Sequence, residues 1–176
     1  MRPPRPLDVR RLCVLVLVVL AGVAPRSEQV PLEYQVKAGY LFNFLKFIEW
    51  PREVESGPIT ICIAGHNPFG DVLAETLQGE RVNSRSLATR VIPEPQAGCA
   101  VVFVPKDTAT TAYLRAVRGA PTLTVGETPG FIGEGGIINF VLEQGKVRFE
   151  IDLKAAERAD LRISSHLLRL ARISDR

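Results

Sequence analysis

The hydrophobic pattern is strongest between Tyr34 and Pro51, where apolar positions recur at helical spacing on two sides of one helix. One stripe consists of Ala38, Leu41, Phe42, Leu45 and Ile48, and a second consists of Tyr40, Phe44 and Phe47. This spacing predicts a helix whose apolar surface is wider than one face. The helix is predicted to end at Trp50-Pro51, because the residue before a proline is disfavoured in the helical region of backbone conformation. The second stripe fits either a fully buried core helix or a surface that docks on another protein.

Short β-branched runs alternate with helical patterns along the rest of the chain. Strands are predicted at residues 59–64, 101–104 and 121–125, weaker strands at 81–82 and 87–92, and helices at 69–77 and 109–118. This alternation is typical of a largely parallel sheet whose right-handed crossovers place helices on both faces. The sequence therefore predicts an α/β fold, a three-layer sandwich with a mostly parallel sheet.

The C-terminal third has a different pattern. Apolar runs at 137–142 and 147–152 flank Glu143-Gln144-Gly145-Lys146, which predicts an antiparallel hairpin with a glycine-containing turn. A helical turn is expected at 153–159, followed by a terminal helix from about Ser164 to Ile173 in which a serine is the N-cap. Leu167, Leu168 and Ala171 of this helix are expected to face inward.

The N-terminal segment has the pattern of an export signal. Four arginines precede an unbroken apolar run from Leu12 to Leu20, and Gly22-Val23-Ala24 supplies small residues for cleavage. The run is too short to span a membrane as a helix, which needs about 20 apolar residues. We expect residues 1–24 to be a signal peptide, 25–33 a linker and 34–176 a single domain in the periplasm.

Removal of this segment changes the charge balance. The whole chain has 22 basic and 19 acidic residues. Residues 1–24 contain four arginines and one aspartate, which leaves 18 basic and 18 acidic residues in the exported chain. Proteins bind nucleic acids largely through basic side chains that displace counterions from the phosphates. The exported chain has no excess of basic residues, so nucleic-acid binding is not expected.

Two cysteines remain after export, Cys62 and Cys99. Cys62 lies within the first predicted strand, and Cys99 immediately precedes the apolar run at 100–104. An even number of cysteines in an oxidising compartment favours a disulfide, provided that the two strands are neighbours in the sheet. Two buried free thiols are the alternative interpretation.

Candidate chemistry is sparse in this sequence. Gly130 to Gly136 is glycine-rich, but it precedes a strand and lacks the lysine of a phosphate-binding loop, so it is interpreted as a turn. Cys62, His66 and Asp71 contain the side-chain types of a nucleophile, base and orienter. A mid-strand cysteine is buried, however, whereas a catalytic thiolate needs an electropositive, partly exposed place. We therefore predict no catalytic residue.

The turn after the first predicted strand is a candidate ligand site. His66, Asn67 and Phe69 follow that strand, and open α/β sheets bind ligands at the carboxyl ends of their strands. The alternative is an ordinary surface turn. The second histidine of the exported chain, His166, is far away in the sequence, and no ligand pair has metal-site spacing, so neither a metal nor a cofactor is expected.

The same segments resemble the YfiR-like family, small exported bacterial proteins whose best-known member represses a membrane-bound diguanylate cyclase from the periplasm. The resemblance is carried by the aromatic helix with Asn43, Lys46, Phe47 and Trp50-Pro51, by Cys62 with Gly65 and Pro68-Phe69-Gly70, by Cys99, by Leu123-Thr124-Val125, by Gly135-Gly136, and by Ser164-Ser165-His166-Leu167-Leu168. It implies a periplasmic, non-enzymatic α/β domain that dimerises and is bridged between Cys62 and Cys99.

The hypothesis that follows is an exported regulator that binds the periplasmic sensor part of an inner-membrane diguanylate cyclase. Its expected contact residues lie on the first helix and in the glycine-rich turn: Tyr40, Asn43, Phe44, Lys46, Phe47, Trp50, Phe131 and Ile132. Asn43 and Lys46 are either the solvated edge of the helix or polar groups that specify the partner. The alternative function is a periplasmic small-ligand sensor or binding protein that uses His66, Asn67 and Phe69.

Overall fold

The computed structural model describes residues 30–51 and 57–174, so the predicted signal peptide and most of the predicted linker lie outside the described residues. The elements in chain order are α1 (Leu32–Phe47), β1 (Ile48–Glu49), β2 (Ile59–Ala64), α2 (Val72–Leu77), β3 (Arg81–Val82), β4 (Arg85–Ile92), β5 (Val101–Val104), α3 (Thr110–Ala116), β6 (Leu123–Gly126), β7 (Ile138–Glu143), β8 (Lys146–Asp152), α4 (Leu153–Arg158), β9 (Arg162–Ile163), α5 (Ser165–Leu168) and β10 (Arg172–Ser174).

Eight of these strands form one sheet in the order β10-β8-β7-β6-β5-β2-β4-β3. The strands from β4 across to β7 are parallel to one another, whereas β8 returns antiparallel to β7 and β3 is antiparallel to β4. The short strands β1 and β9 pair separately. The predicted α/β architecture, a mostly parallel sheet with a C-terminal antiparallel hairpin, is confirmed.

The sheet has a hydrophobic core on each face. Helices α1 and α2 cover one face, where Phe44, Phe103 and Phe140 are fully or almost fully buried. Helix α3 covers the other face, where Tyr113 and Val117 pack with the outward residues of β2 and β5. Successive residues of a strand point to opposite faces, so the short apolar strands supply both cores at once.

The helices predicted at 69–77 and 109–118 are shorter in the structure, Val72–Leu77 and Thr110–Ala116. Two further helices end early because a strand follows. Helix α1 ends at Phe47, because Ile48 is extended (φ −106°, ψ 133°) and pairs with Ile163 of β9 instead of continuing the helix. The terminal helix was predicted to reach Ile173 but ends at Leu168. The residues after it form β10, which pairs in parallel with β8. In both places a strand pairing replaces a helical turn.

Candidate interaction surface

Helix α1 buries one side and exposes the other. Tyr34, Ala38, Leu41, Phe44 and Leu45 face the sheet. The opposite side carries Leu32, Val36 and Asn43, at steps of four and seven residues, which place them on one line of the helix. Leu32 and Val36 are large apolar side chains with 73% and 41% of their surface exposed. Half-buried Tyr40 and Phe47 border this line, and we call these five residues the outer strip.

The contact residues expected from the sequence separate into two groups. Asn43 and Lys46 are exposed, and Tyr40, Phe47 and Trp50 are half-buried. Phe44, Phe131 and Ile132 are buried within the chain, so their predicted role as surface contacts is corrected. The sequence analysis missed Leu32 because it precedes the stretch from Tyr34 to Pro51, and it missed Val36 because that residue lies on neither predicted apolar stripe.

Phe44 is buried because it completes an aromatic cluster rather than a surface. Its ring stacks on Phe140 at 5.7 Å and meets Phe149 edge-on at 5.1 Å. Tyr40 contacts the same two rings at 6.0 and 5.4 Å from the rim of the cluster. The second apolar stripe of α1 is therefore divided, since its middle residue belongs to the core while its two ends reach the surface.

Phe131 is held inside by two glycines. A Cβ atom at Gly126 or at Gly136 would overlap the ring of Phe131, so the ring fills the space that two side chains would otherwise take. Phe131 belongs to the core cluster on the α3 face of the sheet. The glycine-rich turn therefore anchors the loop before β7 and does not present Phe131 to a partner.

The C-terminal end of the outer strip is fixed by neighbouring side chains. The rings of Phe47 and His166 stack with their centroids 5.0 Å apart, which joins α1 to α5. The ammonium group of Lys46 lies 3.8 Å from the centroid of the Phe42 ring, within the range of a cation–π interaction. Aromatic and charged groups therefore lie side by side at this end of the helix.

A buried charge pair joins α1 to the loop after β6. The ammonium group of Lys37 contacts the carboxylates of Glu127 and Glu33, and the side chains of Lys37 and Glu127 are only 3% and 2% exposed. Glu127 also accepts hydrogen bonds from the Tyr34 hydroxyl at 2.8 Å and from the Lys106 backbone N–H at 2.9 Å. The sequence analysis missed this cluster, although Lys37 interrupts the apolar side of α1 where a core residue is expected.

The phenol of Tyr34 shares this environment. Burial is the largest cause that raises the pKa of Tyr34 above its ordinary value, and the hydrogen bond to Glu127 and the nearby carboxylate charges add to it. All three effects disfavour the phenolate. Tyr34 therefore stays a neutral hydrogen-bond donor to Glu127 throughout the physiological pH range.

The disulfide between Cys62 and Cys99 is present, with 5.9 Å between their α-carbons. It crosses from β2 to the residue that precedes β5 by two positions, and these strands are neighbours, as the prediction required. Both cysteines are buried, and the guanidinium group of Arg90 lies 3.6–3.7 Å from the two sulfurs. Cys62 is therefore bonded to another cysteine and is not available as a nucleophile.

The turn after β2 does not bring the predicted ligand residues together. His66 and Asn67 are exposed, whereas Phe69 is fully buried between the rings of Tyr34 and Phe103. Asn67 stabilises its own turn, accepting from the Phe69 N–H and donating to the Gly70 carbonyl. Phe69 is therefore corrected from a ligand contact to a core residue, because the start of α1 covers it.

Among residues 30–51 and 57–174, no three metal-binding side chains cluster in a way that could hold an ion. Within the same residues, no helix has both the length and the apolar character needed to cross a bilayer.

Comparisons with known proteins agree with the architecture. The family model described as YfiR/HmsC-like matches residues 34–172. No curated protein matches the chain. A crystal structure of a conserved domain protein from Vibrio cholerae O1 biovar El Tor is similar over 80% of this chain, with 12% sequence identity and a TM-score of 0.55. The chain spans 59% of that protein, and at this identity the similarity shows the fold alone.

Proposed function

Because the chain belongs to the YfiR/HmsC-like family, we propose that it is an exported, non-enzymatic regulator that binds and represses a membrane-bound diguanylate cyclase. Its partner in this proposal is the periplasmic sensor part of that cyclase. The protein acts in the periplasm and modulates cyclic-di-GMP signalling through binding alone. It shifts the cyclase toward an inactive state by binding that state more tightly than the active one.

The observation that supports this proposal is the outer strip of α1. Leu32 and Val36 are exposed apolar side chains on the same line of the helix as Asn43. An amphipathic helix that offers apolar side chains at such spacing fits an apolar groove on a partner. Asn43 and Lys46 then supply polar contacts that distinguish one partner from another. Beneath the strip, the rings of Tyr40 and Phe44 pack on the hairpin rings of Phe140 and Phe149.

The test replaces Val36 with aspartate in a host that carries both this gene and the cyclase gene. Deletion of the gene should raise cellular cyclic-di-GMP, and the wild-type gene should restore the lower level. Val36→Asp should fail to restore it, because a buried carboxylate without a partner weakens binding by at least tenfold, which is about 1.4 kcal/mol. The readout is cyclic-di-GMP measured by mass spectrometry.

Val91→Asp is the matched control. Val91 lies on β4, away from α1, and is 43% exposed, close to the 41% of Val36. This variant should repress as the wild type does. If deletion leaves cyclic-di-GMP unchanged, the proposal is wrong. If both aspartate variants repress normally, a surface other than the outer strip binds the cyclase.

The homodimer expected from the family is part of the same proposal. Sedimentation equilibrium of the purified chain would measure it directly. A dimer that dissociates in Val36→Asp but not in Val91→Asp would place the outer strip between the two copies. The cyclase would then be bound elsewhere.

A small-ligand sensor or binding protein remains the second candidate function. The predicted site at His66, Asn67 and Phe69 no longer supports it, since Phe69 is in the core. A different observation favours it, a polar cavity at the carboxyl ends of β5 and β6.

A further inference from the structure

A cavity of about 360 Å³ opens where β5 and β6 end. Its polar lining consists of Glu33, Lys37, Lys106, Glu127, Asn139 and Glu150, and its apolar lining of Pro129, Phe140, Val141 and Leu142. The cavity is separate from the outer strip of α1, whose five residues do not line it. It is also separate from the turn at His66.

The unequal lengths of two neighbouring strands create this cavity. The last residue of β6, Gly126, pairs with Asn139, whereas β7 continues to Glu143. Residues 140–142 therefore have no β6 neighbour, and the loop that begins at Glu127 turns away from them. Asn139 and Phe140 are consecutive in a strand and point to opposite faces, so the opening joins both faces of the sheet beyond the end of β6.

Asn139 has an unused acceptor at this place. The residue is 2% exposed, and its side-chain nitrogen donates to the Glu150 carboxylate at 3.2 Å. Its side-chain oxygen has no hydrogen-bond partner within the described part of the chain. The amide orientation is determined by Glu150, because a carboxylate accepts and requires the nitrogen on its side. A buried polar atom without a partner is uncommon and indicates a missing donor.

The charges around the cavity favour a positively charged donor. Glu33, Glu127 and Glu150 contribute three carboxylates, and Lys37 and Lys106 contribute two ammonium groups. The lining therefore has one more carboxylate than ammonium groups, and Lys37 is already shared between Glu33 and Glu127. An ammonium group can donate to the Asn139 oxygen and the Glu150 carboxylate together, and hydrogen bonds between charged groups are the stronger ones.

We propose that this cavity binds a small aliphatic amine. The ammonium group donates to Asn139 and Glu150, and the alkyl chain packs against Val141, which points to the same face of the sheet as Asn139. The proposal does not depend on the proposed function, because the binding is a property of the isolated chain and needs no cyclase. Binding of an amine with no effect on cyclic-di-GMP would leave the cavity assignment intact.

The test is calorimetric titration of the purified chain with 1-aminopentane, with 1-pentanol as the neutral compound of the same length. We expect one amine per chain, and at least tenfold weaker binding of the alcohol, which cannot supply a charged donor. Glu150→Gln should lower the affinity for the amine by at least tenfold. Glu75→Gln is the matched control, since Glu75 lines a different cavity of about 510 Å³ beside α2.

Asn139→Leu distinguishes a binding role from a structural one. The substitution removes the unused acceptor together with the donor to Glu150, whose half-buried carboxylate can be hydrated instead, so the thermal midpoint should change little while amine binding is lost. Equal binding of amine and alcohol would overturn the proposal. So would binding that survives both Glu150→Gln and Asn139→Leu, or the absence of any heat at millimolar amine with the folded wild-type chain.

Discussion

Lys37 is the residue whose position is hardest to reconcile with ordinary helix patterning. It lies among the core residues of α1, and its ammonium group is removed from water together with the Glu127 carboxylate. Burial of two charges in a core costs free energy. Their mutual attraction offsets that cost only when the remaining hydrogen bonds of both groups are also formed. Tyr34 and the Lys106 N–H supply those bonds to Glu127. The pair therefore fixes the position of α1 on the sheet more than it stabilises the fold.

Lys37→Met should be strongly destabilising. The substitution leaves Glu127 buried without its positive partner, a situation that typically costs about 3–5 kcal/mol. Chemical unfolding followed by far-UV circular dichroism would measure the loss of free energy of unfolding.

Two further variants isolate the cause. Lys37→Met combined with Glu127→Gln should be more stable than Lys37→Met alone, because a neutral amide keeps an acceptor for Tyr34. Lys146→Met, at the exposed first residue of β8, should change the free energy of unfolding by less than about 0.5 kcal/mol. A double variant no more stable than the single one would contradict the buried-charge explanation.

At the scale of elements, glycines show where the chain needs space and where it does not. Gly126 and Gly136 leave room for the ring of Phe131, and their side-chain positions are occupied by that ring. Gly39 lies inside α1, and nothing lies within 4 Å of where its Cβ would be. Glycine at position 39 therefore weakens the helix with no packing reason among the described residues.

Alanine substitutions at Gly39 and at Gly126 should change the free energy of unfolding in opposite directions. Gly39→Ala should raise the free energy of unfolding by about 0.5–1 kcal/mol, since alanine is the better helix former. Gly126→Ala should lower it by about 1–3 kcal/mol through overpacking against Phe131. In a Phe131→Ala background Gly126→Ala should cost much less. Thermal unfolding of the wild type, Gly126→Ala, Phe131→Ala and the double variant would measure how far the effects of the two substitutions depend on each other. An equal cost of Gly126→Ala in both backgrounds would contradict the overpacking explanation.

The strands were predictable from the sequence, whereas the ends of the helices were not. Runs such as Ile59–Ala64 and Val101–Val104 are short, apolar and β-branched, and they form β2 and β5 at the predicted positions. The ends of α1 and α5 depend on pairings with β9 and β8, partners that are distant in sequence. Local pattern cannot report such pairings.

The residues of the candidate interaction surface were also predictable only in part. The two apolar sides of α1 follow from its spacing, but the division between core and surface does not. Phe44 is buried because Phe140 and Phe149 from the hairpin meet it. Phe131 is buried because Gly126 and Gly136 make room for it. The burial of Phe44 and the pairing of Lys37 with Glu127 depend on residues distant in the sequence. The burial of Phe131 depends on how the loop folds between the two glycines, which the pattern of apolar positions does not report.

At the scale of the whole molecule, the disulfide ties two neighbouring parallel strands at the centre of the sheet. Cys62 and Cys99 are separated by 37 positions, and β4 and α2 lie in the loop that they close. Loop closure reduces the entropy of the unfolded chain, so the bond should act on global stability rather than on the local geometry of one helix.

Replacement of both cysteines by alanine should lower the free energy of unfolding by about 3–4 kcal/mol, as expected for a loop of this length. Guanidinium unfolding of the oxidised wild type and of the double variant would measure the difference. The wild type under reducing conditions is the control and should approach the variant. Mass mapping of non-reduced peptides should find Cys62 joined to Cys99, and a free thiol at either position would contradict the structure.

The pairing of Lys37 with Glu127 also bears on the order in which the molecule can form. The two residues are 90 positions apart, and Lys37 is synthesised before Glu127. A 16-residue helix is marginal alone, and without Glu127 it would bury an uncompensated charge. An incomplete chain therefore gains little from premature folding. Docking of α1 onto the sheet should therefore be among the later steps of folding, after the chain around Glu127 is available.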